Sequence, residues 1–315
     1  MKSLSAHVAM FGALLVLGAA LPGRGEDTKP TAAPALVTAG NDGFSIQSAD
    51  GKFKLRFNAV LQGDARTYLA DSGGQGTDAF LIRRARPILT GTLDGRFDFN
   101  VTPDFGGGTA VVLDAFLDAR FAKTFQVRVG KFKAPVGLEL LLWDAALPTI
   151  ERGLPTDLVP NRDVGVMIHG DLGGVVHYQA GLLNGVVDGG SIDTDSNDGK
   201  DFVGRVMISP LKKSGTAALQ GFSFGLAGTT GKQSGAVPTF KTIGQLTFFS
   251  YGSGVTADGN RARIAPQLSY TGGPVRLIGE WVSSKQQLRK SPTETASPRN
   301  TAWQGAGSLV VTGET

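Results

Sequence analysis

The stretch FKLRFNAVLQGDARTY, residues 53–68, alternates with a period of two. Phe53, Leu55, Phe57, Ala59 and Leu61 fall on one face, and Lys54, Arg56, Asn58, Gln62, Asp64 and Arg66 on the other, with Val60 the single apolar residue out of phase. A helix would scatter both sets around its cylinder, whereas a strand separates them cleanly. At a dozen or more residues, this strand is longer than the usual five or six of a globular sheet.

The pattern recurs outward from there. After a polar, Gly-rich stretch at 69–78, a second run ends in Leu93-Asp94-Gly95-Arg96, an Asp-Gly hairpin signal. RFDFNVTPDF (96–105), VVLDAFLDARF (111–121) and FQVRVGKFK (125–133) follow, then a pair at 162–184 and runs near 200–209, 218–228, 261–271, 275–285 and 301–312, about twelve in all. Connections alternate in length. Asp94-Gly95, Ala122 to Thr124, Asp171 to Gly174, Pro210 to Gly215 and Thr271 to Pro274 are short, while 69–78, 105–110, 135–161, 185–199, 229–260 and 286–300 are longer. A sandwich needs apolar residues on its inner faces. Here one face carries Lys, Arg, Asp, Asn and Gln in strand after strand, which fits a water-filled interior, so the expected fold is all-β, a transmembrane antiparallel β-barrel.

Composition agrees. Of 315 residues, 41% are hydrophobic, with 45 Gly, 15 Pro and no Cys, which excludes disulfides, thiolate metal sites and thiol nucleophiles. Residues 1–25 read as a signal peptide, with Lys2, an apolar core from Val8 to Leu17, and small-residue cleavage sites at Gly18-Ala19-Ala20 or Gly23-Arg24-Gly25. Residues 26–50, opening EDTKPTAAPALVTAGNDG, read as a flexible periplasmic lead-in before the barrel of 51–315. A net charge of +4 and a pI near 9.3 are far weaker than the dense basic surface of a nucleic-acid binder.

Within this frame the run IRRAR, 82–86, concentrates guanidinium groups in an apolar strand. Alternation turns Arg84 and Arg86 inward, while Ala85, Leu89, Gly91 and Leu93 face lipid. Arg83 has the wrong parity, and so does Lys133; a bulge, or a place at the rim or at the base of the 135–161 loop, would resolve each. Lys54, Arg56, Arg66, Arg120, Arg128, Arg205 and Arg276 share the inner face with the acids Asp64, Asp98, Asp104, Asp114 and Glu280. Forked donors on a narrow wall suit oxyanions.

Other motifs carry little chemistry. GFSFG, 221–225, has the spacing of a nucleophile elbow, but Phe222, Phe224 and Leu226 alternate as a strand with no helix after it. DTDSNDGK, 193–200, resembles a calcium loop yet has Asp198 where glycine belongs and Gly204 where glutamate belongs. His169 and His177 flank a hairpin turn and, in the simplest register, point to opposite faces. No glycine pattern for nucleotide binding follows a strand and opens a helix. No enzyme activity, cofactor or metal is expected.

Six segments in order resemble the phosphate-selective porin O and P family of Gram-negative outer membranes: IRRARPILTGTLDGRFDF (82–99), LDAFLDARF (113–121), RVGKFKAPVGLE (128–139), LPTIERGLPTDLVPNRDVGVMIHG (147–170), LLNGVVDGG (182–190) and AWQGAGSLVVTGE (302–314). The resemblance implies a homotrimer of sixteen-stranded barrels, each narrowed by a long inward loop after the fifth strand, here 135–161. With about twelve strands legible and the chain ending in VVTGET, four C-terminal strands are expected to be missing. It also implies an anion-binding role for Arg83, Arg84, Asp118 and Lys133. With Arg86, Arg120, Arg128, Lys54 and Arg56, these are the candidate pore-lining residues. The loop itself carries Glu139, Asp144, Glu151 and Asp157 but only one basic residue, Arg152, which shifts the expectation from strict phosphate specificity toward general anion passage. The function implied is passive diffusion of small anions, phosphate or polyphosphate among them, across the outer membrane in contact with lipid and lipopolysaccharide. The alternatives are a general small-solute porin and a structural or adhesive barrel.

Overall fold

The computed structural model describes residues 34–40, 43–69 and 76–312; the signal peptide and the first part of the lead-in lie outside the described residues. The chain is all-β. Twelve long strands are present among the described residues: β3 (Lys54–Arg66), β4 (Ala79–Leu93), β5 (Phe97–Asp104), β6 (Val111–Ala122), β7 (Phe125–Lys133), β8 (Arg162–Leu172), β9 (Val176–Leu183), β10 (Asp201–Ile208), β11 (Phe222–Gly235), β14 (Thr256–Gly272), β15 (Val275–Ser291) and β17 (Arg299–Leu309). Each pairs antiparallel with its neighbour in one continuous sheet. Among the described residues, no ladder joins β17 back to β3.

Alternation accounts for the strands, and burial shows which solvent they are built for. In β14, Arg261, Arg263, Ala265 and Gln267 are buried, while the intervening Ile264 and Leu268 are exposed. In β3 the half-buried positions are Lys54, Arg56, Asn58, Val60, Gln62, Asp64 and Arg66, all polar but Val60, whereas Leu61 is 79% exposed. This inverts a soluble sheet and suits one whose outer face meets hydrocarbon. No helix among the described residues is long and apolar enough to cross a membrane.

The segment 134–161, between β7 and β8, fills the inner face. It holds the single-turn helix α1 (Leu138–Leu141) and 3-10 turns at Asp144–Ala146 and Leu154–Leu158. Val136, Leu140, Leu158 and Val159 pack with Phe132, Met167, Leu183, Val203, Ala227, Ala265 and Val282 from the surrounding strands. Glu280 of β15 accepts the Leu138 and Glu139 N–H groups, at 2.7 and 3.2 Å, which would otherwise be free at the start of α1.

Four readings change. Residues 36–47, taken above as part of a flexible lead-in, form β1 (Leu36–Gly40) and β2 (Gly43–Gln47), and β2 pairs with β3. Phe44 and Ile46 alternate with Ser45 and Gln47, and a turn at Asp50-Gly51, with Gly51 at φ +71°, returns the chain onto β3. The connection expected to be a short turn at 210–215 spans 209–221, because Ala217–Leu219 closes a 3-10 turn from residues that alternation had assigned to strand. The long connection before β14 contains a separate hairpin, β12 (Thr239–Lys241) with β13 (Thr247–Ser250), held by Phe240 stacked against Phe248 and Phe249. A seventeenth strand, β16 (Glu294–Ala296), pairs with the end of β15.

Leu226 lies mid-strand in β11, 53% exposed, paired with Val206 and Pro266. Leu226→Arg is expected to cost about 2–4 kcal/mol of stability in a bilayer, read from urea unfolding in lipid vesicles.

Candidate functional site

The arginine run of β4 meets the inward loop. In the β3–β4 ladder Gln62 pairs with Arg84 and Gly63 with Ile82, so Arg83 is skipped as a bulge residue. The bulge lets consecutive arginines converge on one carboxylate. Arg83 Nε and Nη2 donate to Glu151 Oε1 and Oε2 at 2.6 and 3.2 Å, and Arg84 Nη2 donates to Glu151 Oε2 at 2.8 Å. Arg84 Nη1 also donates to Gln62 Oε1. Arg86 donates from Nε to Asp104 at 2.6 Å and from Nη1 to Asp144 at 2.5 Å.

The loop's one arginine closes the network: Arg152 Nη1 reaches Asp144 Oδ1 at 2.7 Å, and its Nη2 reaches the Leu142 carbonyl at 3.0 Å. Lys133, the last residue of β7, sits at the base of the loop and donates to the same carbonyl at 2.9 Å. Burial works to raise the Asp144 carboxyl, but Arg152 and Arg86 beside it outweigh burial and hold it well below the usual carboxylate range. Asp157 is the opposite case. Burial pushes its carboxyl up to about 6, against a partial offset from the Lys241 N–H and ammonium.

A cavity of about 530 Å³ opens beside this network, lined by Arg83, Arg84, Arg86, Arg152, Arg162 and Lys241 with Asp104, Glu151, Asp157 and Asp188. A second, of about 380 Å³, shares Arg86 and Arg162 with it and adds Arg128 and Lys133. Arg162 opens β8 and is held by Asp114 at 3.3 Å.

The remaining expected residues are placed differently. Asp118 lies on the same inner face but is already engaged, accepting from Arg128 at 2.6 and 2.8 Å and lying 2.9 Å from His169 Nε2. Arg120 pairs with Asp98 at 2.9 Å near the Asp94–Arg96 turn and lines neither cavity. Lys54 and Arg56 line a separate small cavity against β1 and β2. Glu139 is buried and accepts from Gly153 N and Gln304, both at 2.8 Å, so it anchors the loop to itself and to β17. His169 and His177 share a face, contrary to the expected register, because Asp171 pairs with His177 and His169 with Gln179; each has its own aspartate. Ser223 sits in β11 with its Oγ 2.6 Å from Ser209 Oγ. The acidic loop spends Asp193 on Lys131 and Asp195 on Lys200.

Sequence reasoning missed Arg162 and Lys241 as site residues, and the buried cluster of Arg261 and Arg263 with Asp188 and Asp201. The one available signal was spacing: Arg261-Ala262-Arg263 repeats Arg84-Ala85-Arg86.

An inside-out antiparallel sheet enclosing an inward loop, with charge gathered where loop meets wall, defines a membrane-spanning β-barrel of the channel class. The family described as phosphate-selective porin O and P matches residues 53–285, so the chain belongs to that family and is an outer-membrane porin. Among solved structures, OmpT (in-vitro folded), an outer membrane protein of Vibrio cholerae, is 13% identical with a TM-score of 0.49, over 82% of this chain and 72% of that one. No curated protein matches the sequence.

The raised Asp157 carboxyl fixes the sign of one pH effect. A buried acid whose folded pKa lies above its ordinary value penalises the fold once ionised, in full above about 6, and the penalty fades as pH falls toward the ordinary 3.8. Asp157→Asn is therefore expected to be more stable than the unmodified chain above pH 6, with the gap closing on acidification; urea midpoints across that range measure it.

Proposed function

We propose that the protein lets small anions, phosphate or polyphosphate among them, diffuse passively across the outer membrane through the arginine-lined passage at the inward loop. The observation that carries this reading is the gathering of five arginines, from β4, the loop and β8, with Lys241 around one cavity of about 530 Å³. Guanidinium groups keep their charge at any physiological pH and present forked donors that match oxyanion geometry. The neighbouring cavity extends the basic lining through Arg86 and Arg162 to Arg128 and Lys133, giving an anion successive sites of similar character. No catalytic residue or cofactor enters this function, and the family resemblance supports a homotrimer in contact with lipid and lipopolysaccharide.

One observation favours a second reading, a general small-solute pore. Arg86 is compensated by both Asp104 and Asp144, and Arg162 by Asp114, so part of the positive charge is already spent.

Planar-bilayer recording separates the two. An anion pore in a potassium chloride gradient gives a reversal potential of the sign set by chloride, and added phosphate reduces its chloride current; a charge-indifferent pore gives a potential near zero. Arg83→Gln is expected to raise the half-blocking phosphate concentration by about tenfold, the loss of one charge-assisted contact.

A further inference from the structure

We propose that Glu151 is a specificity-determining residue, a tethered competitor whose carboxylate occupies the arginine fork that a permeating oxyanion must take. This rests on the anion-pore reading and names what that site discriminates.

Donors exceed acceptors at this point. Three guanidinium groups from two adjacent strands surround one carboxylate: Arg83 at 2.6 Å, Arg84 at 2.8 Å and Arg66 at 3.9 Å. Arg84 is almost wholly buried, and its Nε has no hydrogen-bond partner. A carboxylate has two oxygens and leaves that donor unfilled, whereas a tetrahedral oxyanion brings further acceptors. An unfilled buried donor costs free energy, so the fork is better satisfied by the larger anion than by the side chain that holds it.

Charge points the same way. The linked set of Arg66, Arg83, Arg84, Arg86 and Arg152 supplies five positive charges against Asp64, Asp104, Asp144 and Glu151, which leaves a surplus of one. With the Glu151 carboxylate swung away the surplus is two, the charge of a hydrogen phosphate dianion. Chloride carries half of that and offers a single acceptor atom, so it cannot give each N–H of the fork an oxygen of its own. Displacement therefore favours a divalent oxyanion over a halide, and the tether filters rather than seals.

The exchange requires only a side-chain rotation. The backbone on either side is pinned: Thr149 Oγ1 donates to the Glu151 carbonyl at 2.7 Å, Arg152 is held by Asp144 and Leu142, and Gly153 N donates to Glu139 at 2.8 Å. Glu151 also lines the arginine-lined cavity of about 530 Å³, so the released carboxylate has space to enter.

The test titrates phosphate against chloride current for the full chain in planar bilayers, with heat-dependent electrophoretic mobility reporting folding. Glu151→Gln removes the competing charge and is expected to lower the half-blocking phosphate concentration about tenfold and to raise chloride conductance. Glu151→Asp keeps the charge but shortens its reach, so the same shift, smaller, is expected from it and serves if the glutamine variant does not fold. An unchanged or higher half-blocking concentration in a folded variant overturns the inference. When the unmodified protein prefers anions and is blocked by phosphate, that result leaves the anion reading standing; an unmodified protein without anion preference overturns both.

Discussion

Everything in this molecule depends on the inversion of its solvent. Hydrocarbon outside forces each strand to turn its apolar residues outward, so the polar half of every alternating pair must be accommodated within. In β14 this puts Arg261, Arg263 and Gln267 under cover while Ile264 and Leu268 stand exposed. Charge carried into a confined interior must be paired, hydrated or bound to a ligand. The inward loop supplies the pairing: Glu151, Asp144 and Glu139 are directed at Arg83, Arg84, Arg86, Arg152 and Gln304. The acidity of the loop is thus a consequence of the basicity of the wall.

That relation explains a feature puzzling in the sequence alone. A loop with four acids and one arginine looks ill-suited to narrowing an anion path. Placed against β4, Glu151 and Asp144 become counter-ions to the wall, and further basic character at the cavity comes from Arg162 at the start of β8 and Lys241 of the β12–β13 hairpin. Both lie outside the alternating arginine pattern, and neither is marked by its own neighbours in sequence.

How much of this was legible follows from the range of the physics. Strand alternation is local, so the twelve long strands, their antiparallel order and the inward facing of Arg84 and Arg86 could be read directly. The anomaly at Arg83 was also local, because a parity violation inside a strand implies a bulge or a rim, and the ladder skips that residue. What failed was set by turn closure, which alternation does not report, and by contacts between separate elements. Ala217–Leu219 alternates acceptably as strand but closes a turn, and His169 shares a face with His177 because the turn length fixes which residues pair. Lys54 and Arg56 have the inward parity of Arg66, yet β1 and β2 lie against their end of the strand, so they line a different cavity. Parity assigns a face; only position along the strand and the loop opposite assign a site.

The two Arg-Ala-Arg runs show the distinction most sharply. Arg263 is fully buried and each of its three nitrogens is engaged: Nε meets Asp188, Nη1 meets Asp201 and Thr229, and Nη2 meets the Val186 carbonyl. Every donor group has an acceptor fixed in the protein, so nothing remains for a mobile anion, and the cluster fastens the 184–200 connection to the wall. Arg261 leaves its Nε unpartnered but lines none of the cavities described above. At β4 the same spacing has another outcome, because the acceptor is a loop side chain at the edge of the arginine-lined cavity and Arg84 Nε stays unfilled. Saturation by fixed acceptors makes an arginine structural. Incomplete saturation by a movable one, next to open volume, leaves it available to a passing ion.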